Sequence, residues 1–122
     1  VIRKADTLSL SSLSGEAKEL IEKARTKKLM PEEMIGSTFT VTNLGMFGVD
    51  FFNGIINPPN AAILSVGASR KKAVIGPEGN IIAGETMMLG LTCDHRLVDG
   101  AVAASFLKSL AENLENPSSM LV

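Results

Sequence analysis

The residues best suited to chemistry lie in one short segment, Cys93–Gly100, which contains the only histidine of the chain. An imidazole titrates near neutral pH, so His95 is suited to take a proton from a thiol or a hydroxyl and to return it. Asp99 comes directly before a helical pattern, where an aspartate commonly caps the first turn. The same residues also fit a simpler interpretation, a capped helix beside a structural histidine, and residue types alone favour that one.

Cys93 stands two residues before His95, so the two side chains could share one face of a strand as a nucleophile and its base. One histidine and one cysteine are too few for a zinc site of the usual composition, and we expect no bound metal. The single cysteine also excludes an intramolecular disulfide, which fits a reducing compartment.

The elements that must position these residues follow from the spacing of apolar side chains. The helical segments are predicted at Ser9–Leu29, capped by Ser9, at a short turn opened by Pro31, and at Gly100–Leu114, stopped by Pro117. The strands are predicted at Thr38–Leu44, at Ala61–Val66, in a hairpin over Val74–Ile82, and at Thr86–Cys93. This order of elements is typical of an α/β or α+β fold with buried strands.

Composition excludes several classes of protein. The net charge is −1, there is no basic block, and the five aromatic residues are all Phe, which argues against nucleic-acid binding. The apolar runs are too short to cross a membrane. A hydrophobic content of 45% is high for 122 residues, so we expect apolar surface that a partner subunit or a further part of the domain covers. Because Val1–Lys4 reads as a strand already begun, we interpret the N-terminus as a cut or processed end.

Two segments carry a resemblance to a known family. Asp94–Gly100 resembles the DHRxxDG signature of dihydrolipoamide acyltransferases, the core enzymes of 2-oxo acid dehydrogenase complexes. Its HxxxDG part is shared with chloramphenicol acetyltransferase and with the condensation domains of peptide synthetases. Gly36–Gly48, followed by Ile56–Pro59 and Ala61–Leu64, is similar to the more specific family blocks G-G-x-F-T-x-S-N-L-G-M-F-G and I-N-P-P-x-x-A-I-L. The resemblance covers residues 1–122, which are expected to form the C-terminal half of the catalytic domain.

The resemblance implies a fold and an assembly. The fold would be an α/β two-layer sandwich like that of chloramphenicol acetyltransferase, a mixed sheet with flanking helices, present here as a partial domain. The family forms a homotrimer with active sites between subunits, within a larger cubic or icosahedral core. Its partners are lipoyl domains and, through modules absent here, the decarboxylase and dihydrolipoamide dehydrogenase components. No nucleic-acid or membrane partner is expected.

The resemblance also assigns roles. His95 would deprotonate the thiol of dihydrolipoamide or of coenzyme A, and the thiolate would attack the acyl thioester directly, so that Cys93 has no catalytic role. Thr42, at the position of a serine in many relatives, would stabilise the oxyanion, and Asp99 would orient the His95 loop. The substrates would be coenzyme A and the lipoyl-lysine of a separate lipoyl domain, with substrate contacts from Asn43, Leu44, Gly45, Met46 and Phe47.

Within the family, Asn43–Gly48 with Ile56–Pro59 resembles the acetyl-transferring type of pyruvate dehydrogenase complexes most closely. Two alternatives remain, a non-catalytic core or scaffold subunit and another HxxxDG acyltransferase that acts on a hydroxyl or an amine. The protein is expected in the cytoplasm if it is bacterial and in the mitochondrial matrix if it is eukaryotic.

Overall fold

The computed structural model describes residues 1–121, which divide into a helical first unit, Val1–Thr38, and a second unit that begins at Phe39. In the first unit, helix α1 spans Leu10–Arg25, and the Ser9 side chain caps it by accepting from the Ser12 amide at 3.2 Å. Both features confirm the predicted helix and its cap. The helix ends before the predicted Leu29 because the chain turns left-handed at Lys27, where φ is 56°.

The start of the chain corrects one expectation. Val1–Lys4 does not form a strand, since Lys4 is left-handed with φ 49° and a short 3₁₀ turn follows at Ala5–Thr7. The Arg3 guanidinium instead donates to the carbonyls of Glu32 and Ile35, both at 3.1 Å. Arg3 therefore ties the N-terminal segment to α2, the short helix Pro31–Met34 that the sequence predicted as a turn.

The second unit contains, in its described part, the strands β1 (Thr40–Asn43), β2 (Ala62–Val66), β3 (Arg70–Ile75), β4 (Ile81–Thr86) and β5 (Leu89–Cys93) and the helix α3 (Gly100–Glu115). Three strands form a sheet in the order β1-β2-β5, with β1 parallel and β5 antiparallel to β2. Strands β3 and β4 form a separate antiparallel hairpin. The predicted α/β class with a mixed sheet is thus confirmed.

The strands differ from the prediction at β1, which is shorter than the expected Thr38–Leu44, and most of all around the hairpin. The strand expected at Thr86–Cys93 begins only at Leu89, because Thr86 ends β4 and pairs with Arg70. The hairpin is correspondingly longer than expected, since its first strand begins at Arg70. The basic residues Arg70–Lys72 are exposed on that strand.

The two faces of the three-stranded sheet differ in chemistry. Residues directly opposite one another point to the same face, and one face therefore carries Thr40, Thr42, Ile63, Ser65, Gly90 and Thr92. The other face is mostly apolar, with Leu64 and Leu91 at its centre. Phe39, which shares the parity of the apolar face, packs on Phe106 of α3 with ring centroids 5.9 Å apart. Helix α3 consequently lies on the apolar face.

The core of the described chain is small. Its buried apolar residues are Ala62, Ile63, Leu64 and Ala68, which confirms β2 as a buried strand. Large apolar side chains outside it are open to solvent, including Ile55 at 91%, Ile75 at 79% and Ile81 at 78% exposure. Apolar surface of this kind is normally covered, and its cover by another protein surface stays a prediction.

Candidate active site

His95 lies in a tight turn between β5 and α3. The ladder of β5 continues one residue beyond Cys93, because the Asp94 amide donates to the Ala61 carbonyl at 2.8 Å. The Asp94 carbonyl then accepts from the amides of Leu97 at 2.9 Å and Val98 at 3.0 Å. His95 itself is exposed, and within residues 1–121 its side chain makes no hydrogen bond. The imidazole is therefore presented to solvent by a turn whose backbone is well held.

The carboxylate of Asp94 also stabilises the turn, in addition to the backbone hydrogen bonds of this residue. It accepts from the Arg96 backbone amide at 3.0 Å, from Arg96 Nε at 2.9 Å and from Arg96 Nη2 at 2.6 Å. The side-chain hydrogen bonds from Arg96 are the main reason that the pKa of Asp94 is lowered to about 2. The same contact raises the pKa of Arg96. Asp94 is therefore a carboxylate at any pH at which an imidazole can act as a base.

Asp99 caps α3, as the sequence predicted. Its side chain accepts from the Val102 amide at 2.9 Å, and its carbonyl accepts from the Ala103 amide at 3.1 Å. Capping satisfies amides that the first helical turn leaves without intrahelical partners. The contact of Asp99 is thus a cap, while the ion pair of this segment joins Asp94 and Arg96.

Thr42 lies on β1, at the edge of the described sheet, on the polar face. It is half-buried, and within the described residues its hydroxyl makes no hydrogen bond. Part of the same face is covered by the chain between β1 and β2. There the Gly54 amide donates to Ser65 Oγ at 3.0 Å, and Asn60 Nδ2 donates to Thr40 Oγ1 at 2.6 Å. These bonds engage the hydroxyls of Ser65 and Thr40, which neighbour Thr42 on this face, and do not involve the Thr42 hydroxyl.

Thr42 and His95 are far apart within one chain. Thr42 is opposite Ser65, which is opposite Gly90, and His95 comes five residues after Gly90 along the chain. A strand rises about 3.3 Å per residue and neighbouring strands lie about 4.8 Å apart, so the two residues are separated by roughly 15 Å or more. The turn and the strand therefore cannot act together on one small group within a single chain.

The expected substrate-binding residues form a tight loop after β1. Asn43 Oδ1 accepts from the Gly45 amide at 2.8 Å, and a 3₁₀ turn follows at Gly45–Phe47. Gly45 lies so close to the next strand end that a Cβ there would stand 2.6 Å from the Gly67 carbonyl oxygen. Met46 and Phe47 project outward, 78% and 75% exposed. The loop offers these two side chains to a ligand or to another protein surface.

The contacts that hold this loop in place join residues that are distant in the sequence. Arg70 Nε donates to Asp50 Oδ1 at 2.7 Å, and Arg70 Nη2 donates to the Gly48 carbonyl at 2.8 Å. A Cβ on Gly67 would lie 2.0 Å from the Asp50 carbonyl oxygen, so that position requires glycine. This role of Arg70 could not be predicted from the sequence, because a contact between residues twenty positions apart leaves no local pattern.

Residues 1–121 contain no group of three or more His, Cys, Asp or Glu side chains arranged to hold a metal ion. No helix in that part of the chain is long and apolar enough to cross a membrane. Cys93 is half-buried at the end of β5, opposite Ala62.

Comparison with known sequences gives a consistent result. The family model for the 2-oxoacid dehydrogenases acyltransferase (catalytic domain) matches residues 1–122. The chain is 46% identical over 122 residues to the dihydrolipoyllysine-residue acetyltransferase component of the pyruvate dehydrogenase complex of Rickettsia felis. That match covers 100% of this chain and 29% of the relative, so the chain spans less than a third of that protein.

Two solved structures are also similar. The first is the dihydrolipoamide acetyltransferase of Azotobacter vinelandii, studied for the role of a serine, a histidine and an asparagine in its catalytic mechanism. It matches with a TM-score of 0.92 and 40% identity, over 99% of this chain and 49% of that one. The second is the cubic core of a pyruvate dehydrogenase multienzyme complex, with a TM-score of 0.89 and 38% identity, over 96% of this chain and 48% of that one.

Proposed function

Because the chain belongs to the acyltransferase catalytic-domain family of the 2-oxoacid dehydrogenases, we propose that it takes part in acetyl transfer between dihydrolipoamide and coenzyme A. The observation that carries this proposal is the presentation of His95. Its imidazole is exposed and makes no hydrogen bond within residues 1–121, on a turn fixed by Asp94 and followed by the cap at Asp99. A general base needs such access to the proton that it removes.

In the proposed reaction His95 takes the proton of the incoming thiol, and the thiolate attacks the carbonyl carbon of the acetyl thioester. The Thr42 hydroxyl donates a hydrogen bond to the oxyanion that forms, which is the interaction that strengthens in the transition state. When the intermediate collapses, the carbon–sulfur bond of the original thioester breaks. The departing thiolate then receives the proton from the imidazole, so His95 returns to its starting state without an acyl-enzyme.

The separation of Thr42 and His95 supports a site shared between two copies of the chain. We infer a homotrimer in which the His95 turn of one subunit faces the β1 strand of the next, within a cubic or icosahedral core. The cubic core among the similar structures supports this assembly, and so does the exposed apolar surface of the chain. Lipoyl domains would bring the lipoyl-lysine to this site, and the decarboxylase and dihydrolipoamide dehydrogenase components would bind elsewhere in the complex.

The Azotobacter protein supports the choice of residues. Its investigated asparagine lies four positions after its investigated histidine, which is the spacing between His95 and Asp99. We assign Asp99 to the position of that asparagine and Thr42 to that of the serine. An asparagine and an aspartate share a side-chain oxygen that can cap a helix, so the substitution keeps the contact that Asp99 makes to Val102.

The loop after β1 is proposed to bind the substrates. Asn43, Leu44 and Gly45 set its backbone, and the exposed Met46 and Phe47 provide apolar contacts for the acetylated arm. The Arg70 clamp on Gly48 and Asp50 keeps the loop in place, which preorganises those contacts.

The test is His95→Ala in the full-length protein, with acetyl transfer from acetyl-coenzyme A to dihydrolipoamide as the assay. Loss of one general base typically lowers the rate by about 10²–10⁴, and we expect a loss in that range. Assembly, measured by sedimentation, should be unchanged because the exposed imidazole makes no hydrogen bond within the described chain. Activity within a few-fold of the wild type would contradict the role given to His95.

A further inference from the structure

We propose that Asp94 is a positioning residue that fixes the orientation of His95 by accepting a hydrogen bond from the backbone amide of Arg96. The inference rests on the proposed function, since it concerns how the general base of that reaction is held.

The need for a positioning residue follows from the exposure of His95. Within residues 1–121 the imidazole has no hydrogen-bond partner of its own. Its direction therefore depends on the backbone of the turn that carries it. A catalytic base must be placed within hydrogen-bond reach of its proton, and small displacements from that geometry are costly in rate.

The Asp94 side chain acts on the peptide group that joins His95 to Arg96. Asp94 Oδ1 accepts from the amide of Arg96, two residues on, at 3.0 Å. This is the closure of an Asx turn, in which His95 is the enclosed residue. The backbone bonds of Asp94 to Ala61, Leu97 and Val98 hold the ends of the turn whatever side chain stands at this position. The carboxylate restrains the centre of the turn, where His95 lies, through its bond to the Arg96 amide.

The Arg96 side chain contributes less to the proposed positioning than the Arg96 amide does. Its guanidinium contacts both carboxylate oxygens, but the side chain is 88% exposed, and exposed ion pairs contribute little by themselves. We infer that these contacts help to hold the carboxylate whose Oδ1 accepts from the Arg96 amide. The two contacts can be separated by mutation. The bond to the Arg96 amide needs a short side chain with an oxygen, whereas the ion pair with the guanidinium needs a charge.

Two variants in the full-length protein separate these contacts. Asp94→Asn keeps an oxygen at the right distance from the amide and removes the charge, whereas Asp94→Glu keeps the charge and lengthens the side chain. We expect Asp94→Asn to retain kcat within about threefold, and Asp94→Glu to lower kcat about tenfold with KM for both substrates within about twofold. The control is Glu112→Ala, which removes an exposed carboxylate paired with Lys108 on α3 and should leave kcat unchanged.

The dependence on His95 is tested in a double variant. If Asp94 acts only through His95, then Asp94→Glu should have no further effect on the residual rate of His95→Ala. A purely structural role would lower that residual rate by the same factor as in the wild type, and this result would overturn the inference. Equal kcat values for Asp94→Glu and the wild type, or a larger loss in Asp94→Asn than in Asp94→Glu, would also overturn it.

The inference and the proposed function fail differently. Should His95→Ala remain active, the proposed function is wrong whatever the Asp94 variants do. If His95→Ala is inactive while both Asp94 variants match the wild type, the proposed function stands and Asp94 has no positioning role.

Discussion

Thr42 and His95 occupy opposite ends of one three-stranded sheet. The strand β5 that leads to His95 runs antiparallel to β2, and β2 runs parallel to the β1 strand that carries Thr42. Across the sheet, Thr42 and His95 are therefore separated by two strand spacings. Along the strands, His95 lies five residues beyond Gly90, the β5 residue level with Thr42. Parallel pairing of β1 with β2, followed by antiparallel pairing of β5, is the arrangement that separates them.

This separation predicts complementation between variant subunits. Co-assembled His95→Ala and Thr42→Ala subunits should regain acetyl transfer, because some sites receive His95 from one subunit and Thr42 from its neighbour. For random mixing in a closed ring about a quarter of the sites would be intact. The measurement is the activity of the co-expressed mixture against each variant alone. A mixture no more active than the single variants would show that the site lies within one chain.

The Thr42 hydroxyl should contribute to the transition state more than to substrate binding. Thr42→Ala is expected to lower kcat by roughly 10²-fold with little change in KM, since removal of one oxyanion donor costs about that much. Thr42→Ser keeps the hydroxyl and should retain most activity. A serine variant as inactive as the alanine variant would mean that the methyl group or the strand packing matters, and that the hydroxyl does not.

The Asp99 cap should affect both stability and rate. Asp99→Ala removes the bond to the Val102 amide, and loss of such a cap lowers the free energy of unfolding by about 1 kcal/mol. We also expect a lower kcat, because α3 begins four residues after His95. Asp99→Asn keeps a capping oxygen and should behave like the wild type in thermal unfolding and in the acetyl-transfer assay. An Asn variant as unstable as the Ala variant would argue against capping as the role of Asp99.

The Asp94 carboxylate should make stability depend on acid pH. Its pKa in the folded chain is lowered to about 2, chiefly by the hydrogen bonds from Arg96, whereas an unperturbed Asp has a pKa of about 3.9. A lowered pKa contributes stability that is present above the unfolded value and is lost as pH falls through the folded one. The difference in melting temperature between wild type and Asp94→Asn should therefore shrink as pH falls from about 4 to about 2. A difference that stays constant over this window would contradict the pairing.

Several features were predictable because they depend on neighbouring residues. The caps at Ser9 and Asp99 and the turn at Pro31 are local, since each involves a side chain and a backbone group a few residues away. The continuous apolar run in β2 likewise identifies a buried strand. Local patterns of this kind also gave the family resemblance, which the match over residues 1–122 bears out.

Val1–Lys4 shows where local patterns mislead. Its residues suit a strand, but none of the strands within residues 1–121 pairs with it, and the Arg3 contacts with Glu32 and Ile35 stabilise a turn instead. A strand depends on pairing partners that are distant in sequence, whereas a helix forms its hydrogen bonds within itself.

The residue types at the site were determined by the sequence alone: one histidine, an aspartate four residues later, and a threonine in a strand rich in β-branched residues. Only the tertiary structure decided their relation in space. Strand order and register set the distance between Thr42 and His95. The contact of Arg70 with Asp50 holds the loop that follows β1. Both depend on pairings between residues that lie far apart in the chain, and such pairings are fixed by packing of the whole sheet, which no short stretch of sequence encodes.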